Sequence, residues 1–410
     1  MTYTKNAFKF LLVGKSAANI GDVLFIIALM PLIYEETGST FLMALVPFLI
    51  TGSRFISAFL APLLFKRLTL KKIMVWAQSI KTVLLFCLVL YLFFLFNNVL
   101  PVYAFISVIG LLDGTSSPAS SALVPKIVSK EKLLKSNSWL ESTSQFIEIA
   151  MWPLGAMLVA FSSSNMGMVI STILYLFSTV CYLCIKASLK IDKEASKRSA
   201  SDFKDEVKKG WLFILRRKDI FCITITGILI SSANIVWIAS ILLVYVEEVL
   251  NTGSVWWGYI NSLLVFGLFL AGVLSIVFSK KTEKQFRRML ILSTLIMAIS
   301  TLVLSINSFP IVAVICAFVY GFTNQLKALL EVTYLQINID EDNLPYVYAA
   351  QEAAYLLTFA ISVLLFSSIA DIFGVVLVFA LAGALLLIGF VFLIVFRENL
   401  LELGSSGDYN

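Results

Sequence analysis

The apolar residues of this chain fall in long unbroken runs, each closed by a charged or polar break. Stretches such as "LLFCLVLYLFFLF" and "VVLVFALAGALLLIGFVFLIVF" are apolar all round, whereas membrane β-strands alternate apolar and polar residues over about ten positions. A helix needs about 17–25 apolar residues to cross a bilayer, each rising ~1.5 Å. Runs of that length lie at about 8–34, 42–65, 73–96, 100–124, 138–161, 166–186, 219–246, 255–278, 288–306, 310–332, 346–369 and 373–396. The pattern predicts an all-α membrane protein with twelve transmembrane helices, here called spans 1 to 12.

Composition agrees: 60% of the 410 residues are hydrophobic, 14% are charged and the mean hydropathy is +0.94, against about 45–50% apolar residues in soluble domains. The first run is too long for the core of a signal peptide and lacks a small-residue cleavage site, so it is expected to stay as span 1. All five cysteines fall inside runs, which argues against a disulfide framework or a zinc site. Cys181 and Cys184 read as two apolar residues of span 6. With no Walker loop, Rossmann glycines, G-x-S-x-G elbow or metal-ligand spacing, neither an enzyme nor ATP-driven pumping is expected, and no cofactor or metal.

Charge adds topology. Of the 31 lysines and arginines, all but Lys15, Arg54, Lys81 and Lys327 fall at the N-terminus, at Arg397, or in alternate loops at 66–72, 126–135, 186–218 and 280–288. The intervening loops carry Glu35, Glu36, Asn97, Asn98, Glu247, Glu248 and Asn307 instead. By the positive-inside rule both termini are cytoplasmic and the protein sits in the cell membrane. The net charge of +6 thus reports topology and calls for no nucleic acid. In the longest loop Phe203, Val207, Trp211 and Ile214 recur at helical spacing with Lys204, Lys208 and Lys209 between them, the pattern of a helix at headgroup level.

An internal repeat surfaces as well. "PLIYEETGSTFLMALVPFL" after span 1 matches "LVYVEEVLNTGSVWWGYINSLL" after span 7, and in that register Asp22 falls opposite Asn234. Two six-helix halves of this kind mark a secondary transporter with its site near the midplane. The expected organisation is a six-helix bundle at 1–186, a cytoplasmic linker with an amphipathic helix at 187–218, a second bundle at 219–396 and a cytoplasmic tail at 397–410.

The residues "GD" in span 1, "YEETGS" before span 2, "SSPASSALVPKIVSKEKLLKSNSWLES" from span 4 into span 5, and "DEVKKGWLFILRRKDIF" entering span 7 resemble the major facilitator superfamily, in particular its macrolide-efflux-like branch of drug:proton antiporters. The resemblance implies proton-coupled efflux by alternating access through a cavity lined by spans 1, 4, 7 and 10. The chain departs from the family pattern in three places. Pro62 and Lys66 stand where a glycine and an aspartate usually precede the basic loop after span 2, Ile109 stands at a span 4 position commonly held by arginine, and the span 5 signature is reduced to Trp152, Pro153, Leu154 and Gly155.

An ionised group at mid-span costs ~2.5–3.5 kcal/mol on the insertion scale, so it is expected to face a cavity or a partner. Asp22, Asp113 and Glu148 are the expected titrating groups, with Arg54 as counter-charge and Glu331 as a possible second protonation site; a carboxylate that gains and loses a cation can bind and release a proton. A static salt bridge fixing spans 1, 2 and 4 is the alternative. Lys66, Arg67, Glu141, Lys327 and Glu352 are candidate gate residues, Lys327 facing Glu331 at i, i+4 or Glu352 across helices, while Lys15 and Lys81 are expected to snorkel. Gly110 and Gly114 should let another backbone approach span 4. Asn19, Phe25, Asn234, Trp237, Asn261, Tyr320, Asn324 and Gln325 are candidate substrate contacts in an apolar cavity with a few polar anchors, and Trp256 and Trp257 belong to an interface belt.

The reading is a monomeric secondary transporter of the lipid bilayer that exchanges protons for a lipophilic small molecule. Two alternatives stand beside it: export of an endogenous metabolite, siderophore, peptide or lipid, and a non-transporting sensor or assembly partner on the same fold.

Overall fold

A computed structural model describes residues 5–94, 98–185, 203–237, 239–279 and 285–400. The first part of the expected linker (187–202), most of the tail (401–410), loop residues 280–284 and Asn97 lie outside the described residues, as do the side chains of Phe203 and Lys204.

Every regular element among the described residues is helical. In chain order they are α1 (Lys5–Thr37), α2 (Thr40–Leu60), the short α3 (Pro62–Phe65), α4 (Leu70–Phe94), α5 (Leu100–Ile127), α6 (Leu133–Phe161), α7 (Ser164–Cys184) and α8 (Phe203–Arg216). There follow α9 (Lys218–Ala233), α10 (Ala239–Glu248), α11 (Ser254–Val277), α12 (Phe286–Ile306), α13 (Pro310–Asn338), α14 (Leu344–Phe373) and α15 (Val375–Val395). Ten described helices are long and apolar enough to cross a membrane. Span 2 is α2, with its apolar stretch at Leu45–Leu60, and span 5 is α6, whose first half carries the polar run Ser136, Asn137, Ser138 and Glu141.

The repeated sequence punctuation performs the same task twice. Gly38 sits at φ +64° and returns its N–H to the Tyr34 carbonyl at 2.8 Å, closing α1. Ser39 then caps α2 by accepting from the Leu42 N–H, as short hydroxyl side chains do at helix starts. In the second copy Asn251 takes the left-handed conformation, φ 49°, which asparagine tolerates better than most residues. There Gly253 precedes α11.

Span 7 differs from the continuous helix its apolar run predicts. It is α9, a 3₁₀ segment at Asn234–Trp237, then α10. The residues at the break are poor helix formers, two of them β-branched, and they bond sideways: Ser231 donates to the Tyr355 carbonyl and Asn234 accepts from Tyr320.

Two compact units emerge. The first comprises Met1–Lys130, Thr143–Trp211 and Glu341–Ala353; the second comprises Glu131–Ser142, Leu212–Asp340 and Ala354–Asn410. Within the first unit α1 packs on α7, α2 on α5, and α4 on both α5 and α7. Within the second, the corresponding spans pair alike: α9 on α15, α11 on α13, and α12 on both α13 and α15. Each unit also has a seam of small residues. A Cβ on Gly110 would stand 2.8 Å from the Ile50 carbonyl oxygen, and one on Gly114 would overlap Arg54 and Ser57, so α5 and α2 meet backbone to backbone as expected. In the second unit Gly267 of α11 meets the Phe318 carbonyl, and Gly321 of α13 meets that of Leu264. Large apolar side chains such as Phe86, Phe93, Leu176, Ile388 and Val391 are exposed, as a lipid-facing surface requires.

Candidate functional site

The first unit buries a charged cluster. Lys81 of α4 is 2% exposed, and its Nζ lies 3.0 Å from Asp22 Oδ1 of α1 and 2.6 Å from Asp113 Oδ1 of α5. The Tyr175 hydroxyl of α7 donates to that same Asp22 oxygen, and the Tyr175 ring centroid is 4.6 Å from the ammonium. Gly21 makes room: a Cβ there would stand 2.8 Å from the Tyr175 ring, so the ring lies flush on α1 beside Asp22. One turn along, the Thr82 and Thr179 hydroxyls bond at 3.0 Å. Four helices thus converge on one ammonium.

This corrects the expectation for Lys81, which does not snorkel. Distance from the membrane edge suggested an escape to water, but the side chain leaves the helix on the face that meets α5 and α7, where two carboxylates hold it. The same contacts revise the role expected of Arg54. Arg54 pairs with Glu352 at 3.9 Å, and Lys81 is the cation bonded to Asp22 and Asp113. Within the second unit Lys327 meets Glu331 one turn away on α13. Glu148 is exposed on α6.

In the second unit the break in span 7 carries an aromatic group. The Tyr320 hydroxyl donates to Asn234 Oδ1 at 2.5 Å, and the Trp237 ring stacks on Tyr320 with centroids 4.3 Å apart. Phe379 of α15 meets Trp237 edge-on at 6.5 Å and lies 4.6 Å from Tyr245. Trp237 is 6% exposed, yet its Nε1–H has no acceptor among the described residues, and neither has the Nε2 of buried Gln325. Buried donors of this kind are rare in finished structures.

The other substrate candidates are dispersed. Asn19 donates to Ser144 of α6 at 2.9 Å, Asn261 turns back to the Trp257 carbonyl, and Asn324 is half-buried on α13. Phe25 is not a cavity wall: it is 2% exposed and packs in the apolar core with Leu29, Leu85 and Met168.

Of the gate candidates, Lys66 pairs with Glu206 of α8 at 3.3 Å, Arg67 is exposed and Glu141 half-buried. Tyr346 gathers three contacts: the Phe65 ring edge-on at 5.6 Å, Lys209 Nζ at 4.0 Å from its ring centroid, and Gly210, where a Cβ would overlap its carbonyl. Lys126 lies 3.8 Å from both Glu341 and Asp342. In the second unit Asn137 donates to Thr333 and Gln336 at 3.0 and 2.8 Å. At the mouth of α9, Arg217 grips Asp219 through two bonds and donates to the Asn338 carbonyl. Hydrogen bonding to Asp219 raises the pKa of that guanidinium. Lys81, Tyr175, Glu206 and Tyr346 were absent from the sequence-derived candidates; for Lys81 a signal existed, since an ionisable residue within a span is a site hypothesis by default.

The comparisons with known proteins accord with this architecture. The family model for the Major Facilitator Superfamily matches residues 11–326. Two relatives from Bacillus subtilis (strain 168), both uncharacterized MFS-type transporters, are similar over nearly the full chain. YfmI is 26% identical over 93% of this chain and 94% of its own, and YjbB is 25% identical over 95% and 94%. Among solved structures, the fold is shared with the E. coli fucose:proton symporter FucP (TM-score 0.76, 15% identity, 97% of this chain and 99% of that one). It is shared too with a bacterial homologue of the iron transporter ferroportin in an outward-facing state (0.75, 14%, 96% and 99%). The human organic anion transporter MFSD10 is similarly close (0.72, 14%, 96% and 100%). With a family model that spans most of the sequence and MFS-type transporters similar along nearly its full length, the chain belongs to the Major Facilitator Superfamily and is a membrane transporter.

Proposed function

We propose that the protein is a proton-coupled exporter of lipophilic small molecules, working by alternating access from the cell membrane as a monomer with both termini cytoplasmic, as in the macrolide-efflux-like branch. The observation that carries the reading is the buried Asp22–Lys81–Asp113 cluster. Carboxylates held this way change their hold on a proton as their distance from the cation changes with the helices that carry them, and the chain has no histidine to relay one. Asn234, Trp237 and Tyr320 stay as the proposed substrate contact in the second unit: the two rings are closed within its core, and the Trp237 indole donor, which has no acceptor among the described residues, suits a hydrogen-bond acceptor on the solute once the break in span 7 opens. Glu331, Glu148 and Arg54 stay as secondary coupling candidates.

Everted membrane vesicles supply the test, with ethidium and erythromycin as first probes. Uptake driven by an imposed pH gradient, accompanied by proton release and abolished in Asp22→Asn, supports the proposal. Uptake in Asp22→Asn that equals the native rate removes proton coupling through this cluster. Absence of any drug flux, together with retained proton movement on addition of cell extract metabolites, redirects the reading to an endogenous solute.

A further inference from the structure

We infer that Asp22, Lys81 and Asp113 form a site for a single exchangeable proton, carried by Asp113, with Lys81 as the fixed cation that sets the number at one. The use of this proton in transport rests on the proposed function; the site rests on geometry.

The charge count comes first. Two carboxylates meet one ammonium at 3.0 and 2.6 Å, leaving one negative charge without a bonded cation inside a bundle where such a charge is costly. The neighbours do not supply a second bonded cation. Tyr175 and Tyr182 of α7 are phenols, which carry no positive charge in any protonation state. Arg54 of α2 acts on Asp113 but is paired with Glu352, and Lys15 of α1 acts on Glu352 as well. The two carboxylates bonded to Lys81 hold it as the resident cation, while the side chains of Asp22 and Asp113 are 35% and 21% exposed and can exchange protons.

Hydrogen bonding then decides which acid takes the proton. Asp22 Oδ1 accepts from both Lys81 and Tyr175, so a proton placed on Asp22 disturbs two bonds. Asp113 accepts from Lys81 alone among the described residues. A proton arriving on Asp113 turns its bond to Lys81 into a neutral acceptor's and leaves the ammonium to Asp22. The tie between α4 and α5 weakens while that between α4 and α1 strengthens. Asp113 lies beside the Gly110–Gly114 seam, so the change is felt where α5 meets α2.

Infrared difference spectra of the purified full-length protein, recorded while pH is lowered in H₂O and in D₂O, read the carboxylic C=O stretch directly. The expected native result is one titrating buried carboxyl band, lost in Asp113→Asn. In Lys81→Met, where two carboxylates lack a cation, a protonated band is expected at a pH at which the native protein shows none. Should Lys81→Met fail to fold, Asp22→Asn combined with Lys81→Met restores the native charge count and is expected to keep one titrating band. A band that persists unchanged in Asp113→Asn, two native bands, or no band in the double variant overturns the inference. An intact single band alongside transport that ignores the pH gradient sinks the proposed coupling and spares the site.

Discussion

The two units pair their helices in the same pattern yet fill the middle differently. At matching places in the repeat the first unit has Asp22, bonded to a tyrosine hydroxyl and an ammonium, and the second has Asn234, bonded to a tyrosine hydroxyl alone. The first unit's cluster holds an odd charge. The second unit's ionic pair, Lys327 with Glu331, balances itself on one helix face. One half therefore holds an odd charge and the other a stacked aromatic pair, a difference that a duplicated scaffold permits because packing is carried by glycine seams and apolar faces outside the centre.

The largest effect expected from breaking this comparison is on stability. Lys81→Met leaves two half-buried carboxylates without a bonded cation and should cost about 1–3 kcal/mol, less than the ~3–5 kcal/mol of a fully buried broken pair because both are partly exposed, read as a fall in melting temperature of purified protein. Replacing Lys327 by Met together with Glu331 by Gln removes a self-balanced pair and should leave melting unchanged or raised. Equal losses in both would show that the units do not differ in charge balance.

A comparable effect tests the seams. Gly114→Ala and Gly321→Ala each push a methyl into a carbonyl across the helix pair, and each should destabilise by about 1–3 kcal/mol through overpacking. A loss confined to one of them would break the symmetry argued here. Next, Tyr320→Phe removes the bond to Asn234 at a cost of about 1 kcal/mol while the stacked ring remains, so tryptophan fluorescence from Trp237 should persist and solute affinity fall. Last, Glu206→Gln cuts a half-exposed pair worth ~0.2–1 kcal/mol; the change should show as faster proteolysis near α8 and vanish at high salt.

Much of the architecture was legible in the chain. Run length located the spans, and the Glu-Glu and Thr-Gly-Ser repeat marked where helices end and begin, because Gly38 and Asn251 supply conformations few residues reach. The "GLLDG" spacing announced the α5–α2 seam. Facing was harder. Lys81 and Lys15 lie at similar depth by sequence, and only packing tells that Lys81 points between α1, α5 and α7. The 3₁₀ break was hidden because Ile235, Val236 and Trp237 are apolar and extend the run without interruption. Phe25 and Asn261 misled for a related reason: residue type suggested a solute contact, whereas the core claimed one and the helix's own carbonyl the other.

The glycine contacts also limit how the protein can flex. Where α5 lies on α2 and α13 on α11 with no side chain as a spacer, neither partner can roll about its own axis without driving carbonyls into carbons. Each couple is left to tilt as a single beam, its two helices moving together or not at all.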